Sequence, residues 1–170
     1  MRDEYEREYV EYLRARMPHL RRLAHALTGD FDRADDVVQT AATNLYLKWR
    51  QVRAADNIDA YVRKMVVHTF LAERRLAWAR TWLTDRIPDR AAEPPPTDDA
   101  LLVRAALRRL PARQQAVLVL RFLCDLPVED VAAALGCAPG TVKSHTSVGL
   151  AALRKILGPS ATATLGGGAR

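Results

Sequence analysis

Residues 128–157 read VEDVAAALGCAPGTVKSHTSVGLAALRKIL, and the spacing of three residues in that stretch decides the fold of the carboxyl-terminal half. Two helices that cross closely need a small residue at the crossing, and Ala132 supplies it. Four positions later the turn needs a residue that tolerates positive φ, which is Gly136. Six positions further, the β-branched Val142 can plug the second helix into the core. Pro139 suits the first turn of that second helix. Lys143, Ser144 and Ser147 then project outward, while Val142, Leu150, Leu153 and Ile156 or Leu157 face inward. This is the spacing of a helix-turn-helix. Such a unit lays the start of its second helix in the major groove, where side chains reach base edges and helix-start amides meet phosphate. An αα-hairpin that serves packing alone has the same spacing, so charge has to decide between the two.

Charge favours DNA. Residues 100–170 carry 9 basic and 3 acidic side chains, and residues 43–83 carry 8 and 3. Residues 1–42 carry 7 basic and 9 acidic side chains, and residues 84–99 carry 2 and 5. The formal total of +6 is thus split into two basic blocks separated by an acidic strip, which suits two surfaces for a polyanion. Solvated helix faces are the bland alternative for either block.

The acidic strip is also the clearest break in the chain. It reads TDRIPDRAAEPPPTDD, and its three consecutive prolines, Pro94 to Pro96, cannot continue a helix and favour an extended spacer. After it, Val103, Ala106, Leu107 and Leu110 share one helical face, and Pro111 opens the next helix. Val117 to Leu120 is apolar nearly all round, the mark of a buried central helix. The tail PSATATLGGGAR, after Gly158, is small, polar and glycine-rich, so disorder is expected there.

Before the break, four helices are expected. The first spans residues 3–16, with Tyr5, Tyr9 and Leu13 on one face. Pro18 is placed to start a second, which runs through Leu20, Leu23, Ala24 and Leu27 and stops at Thr28 and Gly29. Asp30 or Asp32 caps a third, carrying Val37, Val38, Ala41, Ala42, Leu45 and Trp49. A fourth begins near Asp56 and aligns Ile58, Tyr61, Val62, Met65, Val66, Thr69 and Phe70. No strand-period segment of any length appears. The expected fold class is all-α: two small helical domains, 1–83 and 100–158, joined by a flexible acidic linker, 84–99, with a disordered tail, 159–170.

Several function classes are disfavoured. No apolar run approaches the roughly 18 residues of a membrane span, and the polar amino terminus is no secretory signal, so a cytoplasmic protein is expected. Cys124 and Cys137 form no Cys-x-x-Cys pair and read as small apolar residues. His19, His25, His68 and His145 are scattered without metal-ligand spacing, and no glycine-rich phosphate loop precedes a helix. No catalytic residues, metal or cofactor are expected.

Taken together, the chain resembles a bacterial extracytoplasmic-function (ECF) sigma factor of the sigma-70 family, similar to an actinobacterial SigE-like group, over residues 10–157. The segments LRRLAHALTGDFDRADDVVQTAATNLYLKW and IDAYVRKMVVHTFLAERR resemble sigma region 2. The segment from Ala106 to Leu157 resembles region 4 and opens on Leu110-Pro111 with Gln114 and Gln115. The acidic-acidic-x-aliphatic-glutamine motif of region 2.2 appears as Asp35, Asp36, Val38 and Gln39. The resemblance implies that these four residues dock on the β′ clamp helices of core RNA polymerase. It implies that Asn57, Tyr61, Arg63, Lys64, His68, Phe70, Arg74 and Arg75 read and melt the −10 element of promoter DNA. A melted base needs an aromatic or cationic surface to lie on. Region 4 would meet the β flap and set Pro139, Gly140, Thr141, Lys143, Ser144, His145, Ser147 and Val148 on the −35 element. Trp78 and Trp82, beyond the usual contact zone, are expected to be packing residues. An anti-sigma factor is a further implied partner.

The sequence departs from the family where His68 replaces a common asparagine and where His145 and Val148 replace frequent arginines. Gly149 replaces a helix former at a cost of about 1 kcal/mol. The alternative reading is a free-standing LuxR-type regulator, which the stretch from Gly140 to His145 equally resembles. Against it stands the amino-terminal half, which lacks the alternating strands and helices of a receiver domain.

Overall fold

The computed structural model describes residues 1–84 and 99–158, and every regular element among them is helical. The expectations for the linker and the tail lie outside the described residues. Three long helices build the amino-terminal half: α1 (Arg2–Thr28), α2 (Phe31–Val52) and α3 (Ile58–Thr84). The carboxyl-terminal half comprises α4 (Asp99–Leu107), α5 (Ala112–Leu118), a π-helical turn (Val119–Leu123), α6 (Val128–Leu135) and α7 (Pro139–Leu157).

Helix α1 is continuous where two helices were expected, with Pro18 inside it. The reason is phase. Tyr5, Tyr9, Tyr12, Leu13, Met17, Leu20, Leu23, Ala24 and Leu27 form one unbroken apolar stripe packed on the core. Pro18 lies off that stripe on the exposed side, where solvent can satisfy the carbonyl whose partner N–H it lacks. At the far end, Gly29 takes φ 69 and its N–H donates to the His25 carbonyl, closing the helix. Asp30 then caps α2: its side chain accepts from the Arg33 N–H at 3.1 Å.

Polar and aromatic contacts fix the acidic start of α1 against its neighbours. The Tyr9 hydroxyl donates to the Ala42 carbonyl at 2.8 Å, and the Tyr12 hydroxyl donates to Asp59 at the start of α3 at 2.8 Å. Arg53 pairs with Glu8 at 2.8 Å, and Arg16 pairs with Asp59. Trp49 is buried with its ring edge-on to Tyr9, at 5.8 Å between centroids.

The helix-turn-helix forms as its spacing requires. Ala132 and Val142 are buried, and Gly136 takes φ 68 between α6 and α7. Gly149 also has a structural reason. A Cβ there would stand 3.2 Å from Leu118 Cδ1, so the bare backbone lets α7 approach α5. Val117 to Leu120 are all buried, but the segment does not continue as an α-helix. From Val119 it widens into a π turn, with the Cys124 N–H reaching back to the Val119 carbonyl at 3.0 Å.

Apolar residues of both halves pack into one cluster. Helix α6 packs along α3, and α5 meets α3 as well. The buried Gln115 lies at this seam. Its amide donates to the Leu27 carbonyl at the end of α1 at 2.8 Å, and its oxygen accepts from Arg74 of α3. Arg74 also donates to the Leu110 carbonyl at 3.1 Å.

Candidate nucleic-acid interface

Helix α7 presents two faces of different chemistry. Val142, Gly149 and Leu153 are buried, whereas Pro139, Gly140, Thr141, Lys143, Ser144, Ser147 and Val148 are exposed. His145 is half-buried. The helix begins at Ala138 with no side-chain cap; Pro139 has no N–H and the Thr141 N–H donates to the Ala138 carbonyl at 3.0 Å, so only the Gly140 amide at this start lacks an intrahelical acceptor. Nothing stands within 4 Å of where a Gly140 Cβ would lie, which leaves the tip open to a close partner. Lys143 supplies a cation beside hydroxyl groups that donate or accept, a set able to meet phosphate oxygens and base edges. All eight residues expected at the −35 element therefore lie in the exposed or half-exposed part of α7.

Helix α3 is more divided. Asn57 sits at its start, where its side chain accepts from the Ala60 N–H at 2.9 Å and so caps the helix. Lys64, His68 and Arg75 are exposed, and Tyr61 and Arg63 are half-buried. Phe70 is 1% exposed and belongs to the core, so it offers no face to a base. Its place in the apolar stripe of α3 decides this. Three of the cationic or polar residues turn toward the other half. Arg74 is held by Gln115 and Leu110, Arg63 lines a groove with Leu123 and Cys124, and the His68 ring lies beside the turn at Gly136. Partial burial holds the His68 pKa below its ordinary value, helped by the nearby cations Lys64 and Arg113.

Trp78 and Trp82 are not packing residues. They are 64% and 73% exposed, one turn apart on α3, with ring centroids separated by 5.6 Å. The sequence signal was available, because both fall out of phase with the buried stripe Val62, Val66 and Phe70.

On α2, Asp35, Asp36 and Gln39 are exposed, whereas Val38 is buried in the core and can act only from beneath. Asp35 lies 3.6 Å from Arg21. Thr43 and Leu47 continue the exposed stripe from Asp36 along the helix, and Leu47 is 76% exposed. Leu47 was missed because an isolated leucine reads as core until the phase of its neighbours is fixed. In the carboxyl-terminal half, Val103, Leu107, Leu118, Phe122, Leu123, Leu150 and Leu153 line a small apolar cleft of about 20 Å³.

Among the described residues no group of His, Cys, Asp or Glu has the arrangement of a metal site. No described helix is long and apolar enough to cross a membrane. Cys124 and Cys137 are both free and half-buried, and burial raises the Cys124 pKa.

Residues 100–153 match the family model of sigma-70 region 4, and residues 13–62 match that of the Sigma2 domain of PhyR. The chain is 34% identical over 157 residues to the RNA polymerase sigma-E factor of Streptomyces coelicolor, covering 88% of this chain and 86% of that one. It is 32% identical over 143 residues to the ECF RNA polymerase sigma factor SigM of Mycobacterium tuberculosis, covering 82% of this chain and 71% of that one. Among solved structures, it is similar to the sigma factor RpoE of Bartonella quintana, in complex with the anti-sigma factor NepR. There the TM-score is 0.70 and the identity 26%, over 88% of this chain and 96% of that one. The fold of CnrH, solved with the cytosolic domain of CnrY, is also similar, with TM-score 0.59 at 17% identity over 89% and 88% of the chains. Matches to both sigma regions, in order and over most of the chain, favour this family over a free-standing LuxR-type regulator. The chain belongs to the extracytoplasmic-function sigma factors of RNA polymerase.

Proposed function

We propose that this chain docks on core RNA polymerase through α2, places α7 on the −35 element and uses α3 at the −10 element to start transcription. The observation that carries this reading is the division of α7. Its core side is sealed by Val142, Gly149 and Leu153, and Thr141, Lys143, Ser144 and Ser147 line its open side. A recognition helix must be anchored and open in this way to enter a major groove.

Asp35, Asp36 and Gln39, extended by Thr43 and Leu47, form the surface for the β′ clamp helices. An acidic stripe with an apolar end suits a basic protein groove better than DNA. The carboxyl-terminal half, α4 to α7, is the part that meets the β flap. Arg63, His68 and Arg74 face the other half in this arrangement, so their full use at the −10 element requires the carboxyl-terminal half, including the π turn beside Arg63, to move off α3. The chain itself performs no catalysis and acts in the cytoplasm, where the polymerase it assists resides. An anti-sigma protein is the expected class of inhibitor, since the similar Bartonella sigma factor was solved bound to one.

The test is assembly. Asp36 is exposed and no described polar contact holds it, so Asp36→Arg keeps the fold. The variant is expected to lose co-elution with core polymerase on size exclusion, with its helical circular dichroism unchanged. Normal co-elution of the folded variant would remove α2 as the docking surface.

A further inference from the structure

Two grooves run along the seam between the halves, and arginines from both halves line them. The narrower, of about 200 Å³, has Arg33 of α2 and Arg108 just after α4 in its walls. The wider, of about 670 Å³, is lined by Arg75 of α3 and by Arg109 and Arg113 on either side of Pro111. Arg74 and Trp78 line both, so the two grooves adjoin. Arg74 is already held by Gln115 and the Leu110 carbonyl, so the open positive charge belongs to the other five arginines. None of the five forms an ion pair with a described carboxylate, and among the described residues no carboxylate lines either groove. Glu73 of α3 feels the charge of Arg33 without pairing with it. Arg33 and Arg108 are half-buried, where a guanidinium without a counter-charge is costly. The Arg108 side chain crosses the end of α1, with its Cδ 3.1 Å from where a Gly29 Cβ would lie, so the bare glycine gives it room.

The other polar side chains of the narrower groove are spent. The Thr28 hydroxyl is occupied by the Ala24 and Asp30 backbone, the Thr81 hydroxyl donates to the Ala77 carbonyl, and Gln115 uses both ends of its amide. In the wider groove, His68 is the one other polar side chain among the described lining residues. What the seam chiefly offers is therefore guanidinium forks, which donate and never accept. An acidic peptide would bring backbone N–H groups that find few acceptors there. A DNA duplex is too broad to follow a groove between two packed halves. A phosphate chain presents acceptors only and meets guanidinium forks two bonds at a time. We propose that the seam binds a short phosphate chain, as an inorganic oligophosphate or as the tail of a nucleotide, held by Arg33 and Arg108 at one end and by Arg75, Arg109 and Arg113 at the other. Helices α2 and α3 supply one side of this site and residues 108–113 the other, so it exists only while the halves are joined. Its ligand therefore favours that arrangement over any in which they part.

The experiment is isothermal titration calorimetry of the full chain with sodium tripolyphosphate, adenosine triphosphate and orthophosphate. Tripolyphosphate is expected to bind at least about tenfold more tightly than orthophosphate, because a single phosphate reaches only one end of the seam. Tighter binding of adenosine triphosphate than of tripolyphosphate assigns the site to nucleotides; equal or weaker binding assigns it to the inorganic chain. With tripolyphosphate at about 100 times its dissociation constant, the chain should melt about 5–10 °C higher. The variants R33Q/R108Q and R109Q/R113Q are each expected to bind about tenfold or more weakly, since each loses charge-assisted bonds. R33K/R108K keeps the charge and should recover part of the affinity, which damage to packing would not allow. Arg109 and Arg113 are exposed, so R109Q/R113Q keeps its circular dichroism and tests the site without disturbing the fold. Absence of both binding heat and a melting shift overturns the inference, as does unchanged affinity in the two glutamine variants. So does tighter binding of a short mixed-sequence DNA single strand with the same dependence on these arginines, which would make the seam a nucleic-acid surface. No polymerase or promoter is present, so failure here is separate from failure of the sigma-factor reading, which assembly and transcription report.

Discussion

Replacing Gln115 by alanine removes the polar bridge between the halves, and its cost can be worked from the contacts. The side chain is 2% exposed, donates to the Leu27 carbonyl at 2.8 Å and accepts from Arg74. The Leu27 carbonyl is in the last turn of α1, where the helix supplies no partner of its own. Stranding it costs about 1–3 kcal/mol, and losing a bond from a charged donor costs about 1.5–3 kcal/mol. Arg74 is half-buried and keeps the Leu110 carbonyl at 3.1 Å, so its share falls at or below the lower limit. The expected loss is about 3 kcal/mol, equivalent to a melting temperature lower by about 6–12 °C for a chain of this size. Urea denaturation followed by circular dichroism measures it, with the exposed Arg113→Ala as a control expected within about 0.5 kcal/mol of the parent. A Gln115→Ala loss below about 0.5 kcal/mol would refute the reasoning, because a bridge buried at a shared core cannot be that cheap to remove.

Two further outcomes are expected. Lys143→Ala leaves α7 folded and polymerase binding intact but weakens transcription from −35-dependent promoters, read by run-off transcription; lost polymerase binding would give that helix another role. His68 titrates below its ordinary value, so the unfolded chain takes up its proton first as the pH falls. Its effect on stability is therefore absent above the unfolded pKa of about 6.5 and grows destabilising below it, levelling off once the folded form is also protonated. Nuclear magnetic resonance of the ring reads the midpoint directly, and Arg113→Gln should raise it.

The parts of the fold that were legible in the sequence are those set by local spacing. Ala132, Gly136 and Val142 fix the turn between α6 and α7, and Gly29 with Asp30 marks the end of α1 and the cap of α2. Local rules misled at Pro18, where a stripe shared with the rest of α1 outweighs one missing hydrogen bond. The π turn at Val119–Leu123 has no comparable spacing signal, because an apolar run fits either helix. Periodicity also says which residues are apolar on one side without saying what covers them. Phe70 and Val38 thus passed as contact residues although both are core, and Trp78 and Trp82 passed as core although both are exposed. The packing of α6 on α3 was illegible for the same reason, since a stripe does not name its partner.

The central claim is that this chain gives core polymerase a promoter preference. The direct measurement is run-off transcription on genomic fragments by bacterial core polymerase, with and without the purified chain. The account predicts stable association and new, discrete start sites that appear only with the chain. No association, combined with a footprint of the chain alone on duplex DNA, would contradict it.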